Sequence, residues 1–492
     1  MQVLQPSKMA SSQKAPEAES SPSGSAERLG WPALAETVSF AFLIVTLAWA
    51  PFPLGSDRPW SWTLLTFLVV ISWLFWLASV WQSPASAARS VRRIAGPLFL
   101  ASLALFWGAM QCLPCMPKAW LNPVWSIAAD GLDKPLNATI SLNGWSTVTE
   151  LMKLVTYMMA GWLAYVFCER PGRAKRLLDA LIAIGACYAT YALVMAMLGI
   201  AQIQVFYTTT ASGSSPIAAP FMTHASFASF LGMITLCTCV RLFALGTGNI
   251  VSVRGPRQLF LTTLKFGFGR GTPLLVAGLV LFSMLVAAAS RAGFLAVLVG
   301  IMTLLVFASV MEPRRTISKW AFAGIAVSAL IAVFLFQVNG DTLESGFNDL
   351  IRGDATLDLR GVLWSAATHM VADAPLPGLG LGSFENAYPL YADHVYPFNM
   401  DKVHNDYLEL AAGLGLAAAL AWLSALLWLG IQCGRGIILR RRNRMYSLIA
   451  VAATVSVAVH SVFDFTLQIP AVALTYVAIL GMGVAQSFST RA

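Results

Sequence analysis

RGVLWSAATHMVADAPLPGLGLGSFENAYPLYADHVYPFNMDKVHNDYLELAAGLG, residues 360–415, is the longest polar interval in a chain otherwise built of apolar runs. On both sides of it those runs reach about 18–22 residues, the length of helix that crosses roughly 30 Å of hydrocarbon. The chain is 57% hydrophobic and 11% charged, with mean hydropathy +0.69, whereas soluble domains carry roughly 25% charged residues. Composition therefore makes this an integral membrane protein, all-α, and the interval a long extramembrane loop between late spans.

Working outward from the loop, spans are expected at roughly 33–53, 60–81, 95–114, 147–168, 177–199, 223–244, 272–289, 292–311, 321–338, 406–431, 446–463 and 466–486. The fold class is thus a polytopic helical bundle of about twelve spans, with a long, partly helical periplasmic loop between the ninth and tenth. Residues 1–30 read as a disordered tail rather than a signal peptide, since the first apolar run begins near Ala33 and is of spanning length. The domains expected are that tail, spans one to nine over 31–338, the loop over 339–405, and spans ten to twelve with a short tail over 406–492.

The net charge of +9 reports topology before it reports a ligand. Of the 32 Lys and Arg, only Arg58, Lys118, Lys134, Lys153, Arg291, Arg352, Arg360 and Lys402 fall on the side of the long loop. The others occupy the tails and the alternate connections, which makes that side cytoplasmic, both termini with it, and the loop side exterior. Basic clusters on separate short loops need no nucleic acid to explain them. Cys112 and Cys115, in QCLPC, are either a disulfide or redox pair or neighbouring small apolar residues.

All five histidines, His224, His369, His394, His404 and His460, fall on the loop side, where an imidazole can take a proton near neutral pH. His404 lies where the loop re-enters the membrane, followed by Asn405 and Asp406 and near Asp401, so that a carboxylate or an amide can orient its ring. His460 and Asp464 are four residues apart and hence on one helical face, as a functional pair or a bundle-stabilising one. Arg291, in SRAG between two apolar spans, calls for an anionic partner, and with Arg352 and Arg360 it suits either a pyrophosphate or the carboxylates Asp349, Asp354 and Asp358. Residues 361–373 carry apolar side chains at helical spacing, as in an amphipathic helix on the membrane face, ended by Pro375 and Pro377. GLGLG at 378–382 lacks the strand, helix and acidic residue of a nucleotide loop and reads as backbone turning close to a ligand or to a membrane helix. No spacing imposes a metal site, and no cofactor is expected.

The pattern Arg360-x-x-x-Trp364, then P-x-P-G-x-G-x-G-x-F from Pro375 to Phe384, then H-N-x-Y-L-E from His404 to Glu409 with GLG at 413–415, resembles the O-antigen ligase and polysaccharide polymerase family. SRAG at 290–293, THASFASFLG at 223–232 and HSVFDF at 460–465 resemble further elements of it. The resemblance implies a metal-independent inverting glycosyltransferase of surface polysaccharide (lipopolysaccharide or exopolysaccharide) biosynthesis in the bacterial inner membrane. Its donor is an undecaprenyl-pyrophosphate-linked glycan; its acceptor is a glycan, lipid A core or other hydroxyl; its partners are the lipid bilayer and, for a polymerase, a chain-length regulator. The same resemblance gives Arg291 and Arg360 the pyrophosphate, with Arg352 in support, and His404 the acceptor hydroxyl. Asn405, His460, Asp464, His224, Tyr388 and Tyr391 then become substrate-side candidates, the tyrosines as sugar-stacking rings or interface anchors. The ligase pattern H-[NSQ]-x9-G is met by His404, Asn405 and Gly415, but Ala418 departs from its next position, leaving ligase, polymerase and protein-glycosylating roles open. A transporter of an anion or lipid-linked glycan is the alternative of a different class.

Overall fold

A computed structural model describes residues 30–81, 84–198, 203–204, 207–208, 218, 220–250, 269, 271–311, 355–392 and 399–488. Among them the helices are α1 (Trp31–Trp49), α2 (Pro59–Val80), α3 (Pro84–Arg93), α4 (Ala95–Met110), α5 (Val124–Leu132), α6 (Gly144–Cys168), α7 (Pro171–Met197), α8 (His224–Ile250), α9 (Thr272–Ala287), α10 (Arg291–Met311), α11 (Ala355–Asp373), α12 (Phe384–Tyr391), α13 (Asp406–Leu414), α14 (Leu416–Leu439), α15 (Arg444–His460) and α16 (Pro470–Ala485). Strand structure among the described residues is one two-residue ladder, Ile203–Gln204 against Tyr207–Thr208.

Seven of these helices are long and apolar enough to cross a membrane, eight if α3 and α4, bent by 81° at Ile94, make one broken span. The apolar helices α9, α15 and α16 are shorter. The expected ninth span, 321–338, lies outside the described residues. The expected tenth, 406–431, is corrected: at Gly415 (φ +78°) the chain breaks, so α13 belongs to the loop region and the span is α14.

α16 occupies the middle of the bundle and is buried along its length apart from half-buried Val477. A helix apolar all round belongs in a core, and small residues let its neighbours approach: a Cβ on Gly481 would come within 2.5 Å of the Gly161 carbonyl of α6. One end of the bundle is basic. There Arg170 and Arg173 pair with Glu36 at 3.0 and 2.6 Å, Arg241 with Asp179 at 2.9 Å, and Arg93 with Glu169 at 3.5 Å. The other end carries His224, Arg291, the turn 461–469 and the described part of the long loop. That part has a core of its own, in which Leu363, Ala367 and Met370 of α11 meet Phe384, Tyr388, Val403 and Ala412. The apolar face of α11, expected on a membrane surface, is therefore spent on α12 and α13.

Candidate active site

His404 sits at φ +56°, the left-handed region that non-glycine residues occupy at a cost of roughly 1–3 kcal/mol. The residues around it hold it there. Glu409 Oε2 accepts the Val403 N–H at 3.0 Å, Asn405 caps α13 by accepting from the Tyr407 and Leu408 N–H groups at 3.0 and 3.1 Å, and the Asp406 N–H donates to the Ser461 carbonyl at 2.9 Å. The Asp406 carboxylate accepts from Ser461 Oγ, Leu467 N and Gln468 Nε2 at 2.7, 3.0 and 3.3 Å, and Tyr407 Oη donates to the Ala458 carbonyl at 2.8 Å. Burial nevertheless pushes the Asp406 carboxyl up to about 7, those three hydrogen bonds offsetting only part of it.

This clamp, between α13 and the turn joining α15 to α16, sets the His404 ring on Asp464. Nδ1 lies 3.2 Å from Asp464 Oδ1, and the ring meets Phe465 edge-on at 4.9 Å. Asp464 is 3% exposed, and its Oδ1 also accepts the Phe465 N–H at 3.0 Å. Burial alone raises a carboxyl's pKa, but the His404 hydrogen bond, the charges of His460 and His404, and the Phe465 N–H outweigh it and hold Asp464 below its ordinary value. An ionised Asp464 fixes the proton on Nδ1 and leaves Nε2 as the basic nitrogen. The geometry is that of a general base with its orienting carboxylate.

The partners differ from those the sequence suggests. Asp464 belongs to His404, sixty residues away, while His460, 1% exposed, bonds through Nδ1 to Ser229 Oγ of α8. His224 opens α8 and is exposed. Arg360, half-buried on α11, lies near enough for its charge to act on both His224 and His460. Arg291 opens α10 at the same end; Ser290 Oγ accepts the Gly293 N–H at 3.1 Å, and Gly293 is packed so closely on α8 that a Cβ there would lie 2.7 Å from that of Ala228. Neither arginine forms an ion pair among the described residues. Arg352, Asp349 and Asp354 lie outside the described residues. Tyr388 is 6% exposed in the core of the loop, and half-buried Tyr391 hydrogen-bonds Asp373.

Residues 276–423 match the family model described as O-antigen ligase. Over these residues the chain is similar to the O-antigen ligase family. No curated protein matches the chain. The ligase-family stretch supplies Arg291, Arg360 and His404, whereas Asp464, His460, His224 and Ser229 come from outside it.

Within the ligase-family stretch, PLPGLGLG forms a strap laid against the C-terminal end of α13. The Leu379 N–H donates to the Ala412 carbonyl, Gly380 N–H to Gly413, and Leu416 N–H to Pro375, at 2.8–3.0 Å. Gln111 of α4 pins both layers, its Nε2 donating to the Pro377 and Gly413 carbonyls at 2.7 and 2.8 Å. Gly378 (φ +70°) and Gly415 (φ +78°) face opposing backbone so closely that a Cβ on Gly378 would strike the Gly413 carbonyl and one on Gly415 the Leu376 carbonyl. Gly378 thus both turns the chain and approaches a neighbouring helix end closely, as the sequence suggests for GLGLG. Ser229 lies inside THASFASFLG, Glu409 inside HNDYLE and Gln111 at the start of QCLPC, but nothing in their spacing marks any of the three as building the site.

Proposed function

We propose that the protein is a membrane glycosyltransferase that moves a glycan from undecaprenyl pyrophosphate to a hydroxyl acceptor at the periplasmic face of the bacterial inner membrane. The observation that carries this is the His404–Asp464 pair, whose histidine lies within the stretch similar to O-antigen ligases, with Arg360 near enough for its charge to act on His460 and His224 at the same end. The basic opposite end of the bundle supports a cytoplasmic assignment for that end and for both termini.

His404 Nε2 takes the proton of the acceptor hydroxyl as its oxygen bonds to the anomeric carbon. The bond from that carbon to the pyrophosphate oxygen breaks, and its electron pair leaves with the lipid pyrophosphate. Attack opposite the leaving group inverts the anomeric centre. Arg360 and Arg291 stabilise the charge gathering on the pyrophosphate. The proton then passes from the imidazolium to solvent, restoring the base.

The test is complementation of a deletion strain. Loss of the gene should leave lipid-linked glycan accumulated on the outer face of the membrane, and the parental gene should clear it. A His404→Ala gene that inserts normally should not. Accumulation on the inner face instead would point to transport.

A further inference from the structure

A second group of charges adjoins the His404 segment, and nothing in the mechanism above uses it. Asp57 lies in the turn between α1 and α2, Glu150 and Lys153 on α6, and Lys402 and Glu409 flank His404 in the chain. Lys153 Nζ is 2.7 Å from Glu150 Oε1, and Lys402 Nζ is 3.6 Å from Glu409 Oε1. Burial works against the Lys402 charge, yet Glu409, Glu150, Asp57 and Asp401 outweigh it and raise its pKa. The charges that act on Asp57, Glu150 and Lys402 are one another's and those of Lys153, Glu409, Arg58 and Asp401; Arg360 is not among them. His404 therefore stands between two electrostatic neighbourhoods, one around Arg360 and one in which the four carboxylates Asp57, Glu150, Asp401 and Glu409 face the three cations Arg58, Lys153 and Lys402.

A purely structural ion network would leave its members paired, since a buried polar group without a partner costs roughly 1–3 kcal/mol. One group here is buried without a partner, and one carboxylate is partly open to solvent with no ion pair among the described residues. Half-buried Asp57 makes no hydrogen bond or ion pair among the described residues, although it faces the cations Lys153, Lys402 and Arg58. Tyr157, 4% exposed, has a hydroxyl with no hydrogen-bond partner. It follows Glu150 and Lys153 along one face of α6, and the charges of Glu150 and Asp57 both act on it. The side chains of Glu150 and Lys402 remain 17% and 21% exposed, so the group opens toward the loop end.

Carboxylate acceptors, ammonium donors and a phenol complement the hydroxyls of a sugar ring. A site with excess negative charge also repels a pyrophosphate, which the arginine side attracts. Lys402 is two residues from His404, within about 7 Å along the chain, so a ring held there brings a hydroxyl to the base. We propose that Asp57, Glu150 and Lys402, with Tyr157 beneath them, form the subsite for the acceptor: a neutral, polyhydroxylated glycan. The inference rests on His404 being the base.

The test uses the full-length protein purified in lipid nanodiscs, with the glycolipid extract of a strain lacking the gene as source of both donor and acceptor. Two products are read from one incubation: glycan transferred to the acceptor, and free reducing glycan released when water takes the acceptor's place. Asp57→Asn should lower transfer about tenfold and Tyr157→Phe about threefold, with release at the parental rate. Both should melt at or above the parental temperature, because neither deletes a made hydrogen bond. Parental transfer in both variants, or release falling in step with transfer, overturns the subsite. A parental protein that leaves the lipid-linked donor intact contradicts the transferase reading, and the subsite with it.

Discussion

The strap at 375–382 and the segment at 403–409 meet on α13 and are held by opposite means. In the strap, Gly378 carries no side chain because neighbouring backbone fills its place, and carbonyls and N–H groups make the joints, with Gln111 pinning them. In the His404 segment the backbone is strained and side chains make the joints: Glu409 and Tyr407 hold one bond each, Asn405 two and Asp406 three. The difference separates motif residues that shape the floor from those that aim the base.

Several substitutions would break or sharpen this contrast. Asp464→Asn keeps the shape of the site but favours the wrong His404 tautomer, and should cut the transfer rate by roughly 10^3- to 10^4-fold in an assay of purified protein. A loss under tenfold would remove Asp464 from the mechanism. Gly378→Ala combines a left-handed backbone with a clash against the Gly413 carbonyl and should cost about 3 kcal/mol or more, read as lost folded protein in detergent. If the strap were a hinge, the alanine would be tolerated. Glu409→Ala releases the Val403 N–H and should lower transfer about 10- to 100-fold at unchanged donor binding, with Gln, which keeps the acceptor, recovering most of it.

The smallest effect is a pH dependence. The folded pKa of Asp406, about 7, stands above its unfolded value near 3.8, so folding favours the neutral acid. Stability gained from this group is present at low pH and lost as pH rises through the interval from about 4 to 7. Melting temperature should therefore fall by a few degrees between pH 5.5 and 7.5, and Asp406→Asn should flatten that slope. An unchanged slope would assign it to another group.

Most of the bundle is legible in the sequence because a spanning helix needs only an uninterrupted apolar run, and such runs coincide with α1, α2, α4, α6 to α10, α15 and α16 to within several residues. The break at Gly415 is not legible that way. Residues 406–431 are continuously apolar enough to span, and only the strap packed on Gly413 and Gly415 forces the chain to turn. His404, Asp464 and Arg360 stand out individually as polar residues at an apolar boundary. Their pairing does not, since helical spacing joins His460 to Asp464, while the fold gives Asp464 to His404 and His460 to Ser229. The group around Asp57 and Lys402 carries no sequence signal, because it exists only where the α1–α2 turn meets a segment 345 residues later.

The central claim is that His404 is the base. Its most direct measurement is the rate of glycan transfer by purified His404→Ala and His404→Gln proteins supplied with extracted lipid-linked donor and acceptor. Both should bind donor as the parent does and transfer at least about 10^2-fold more slowly. Transfer within tenfold of the parent by either variant would contradict the account.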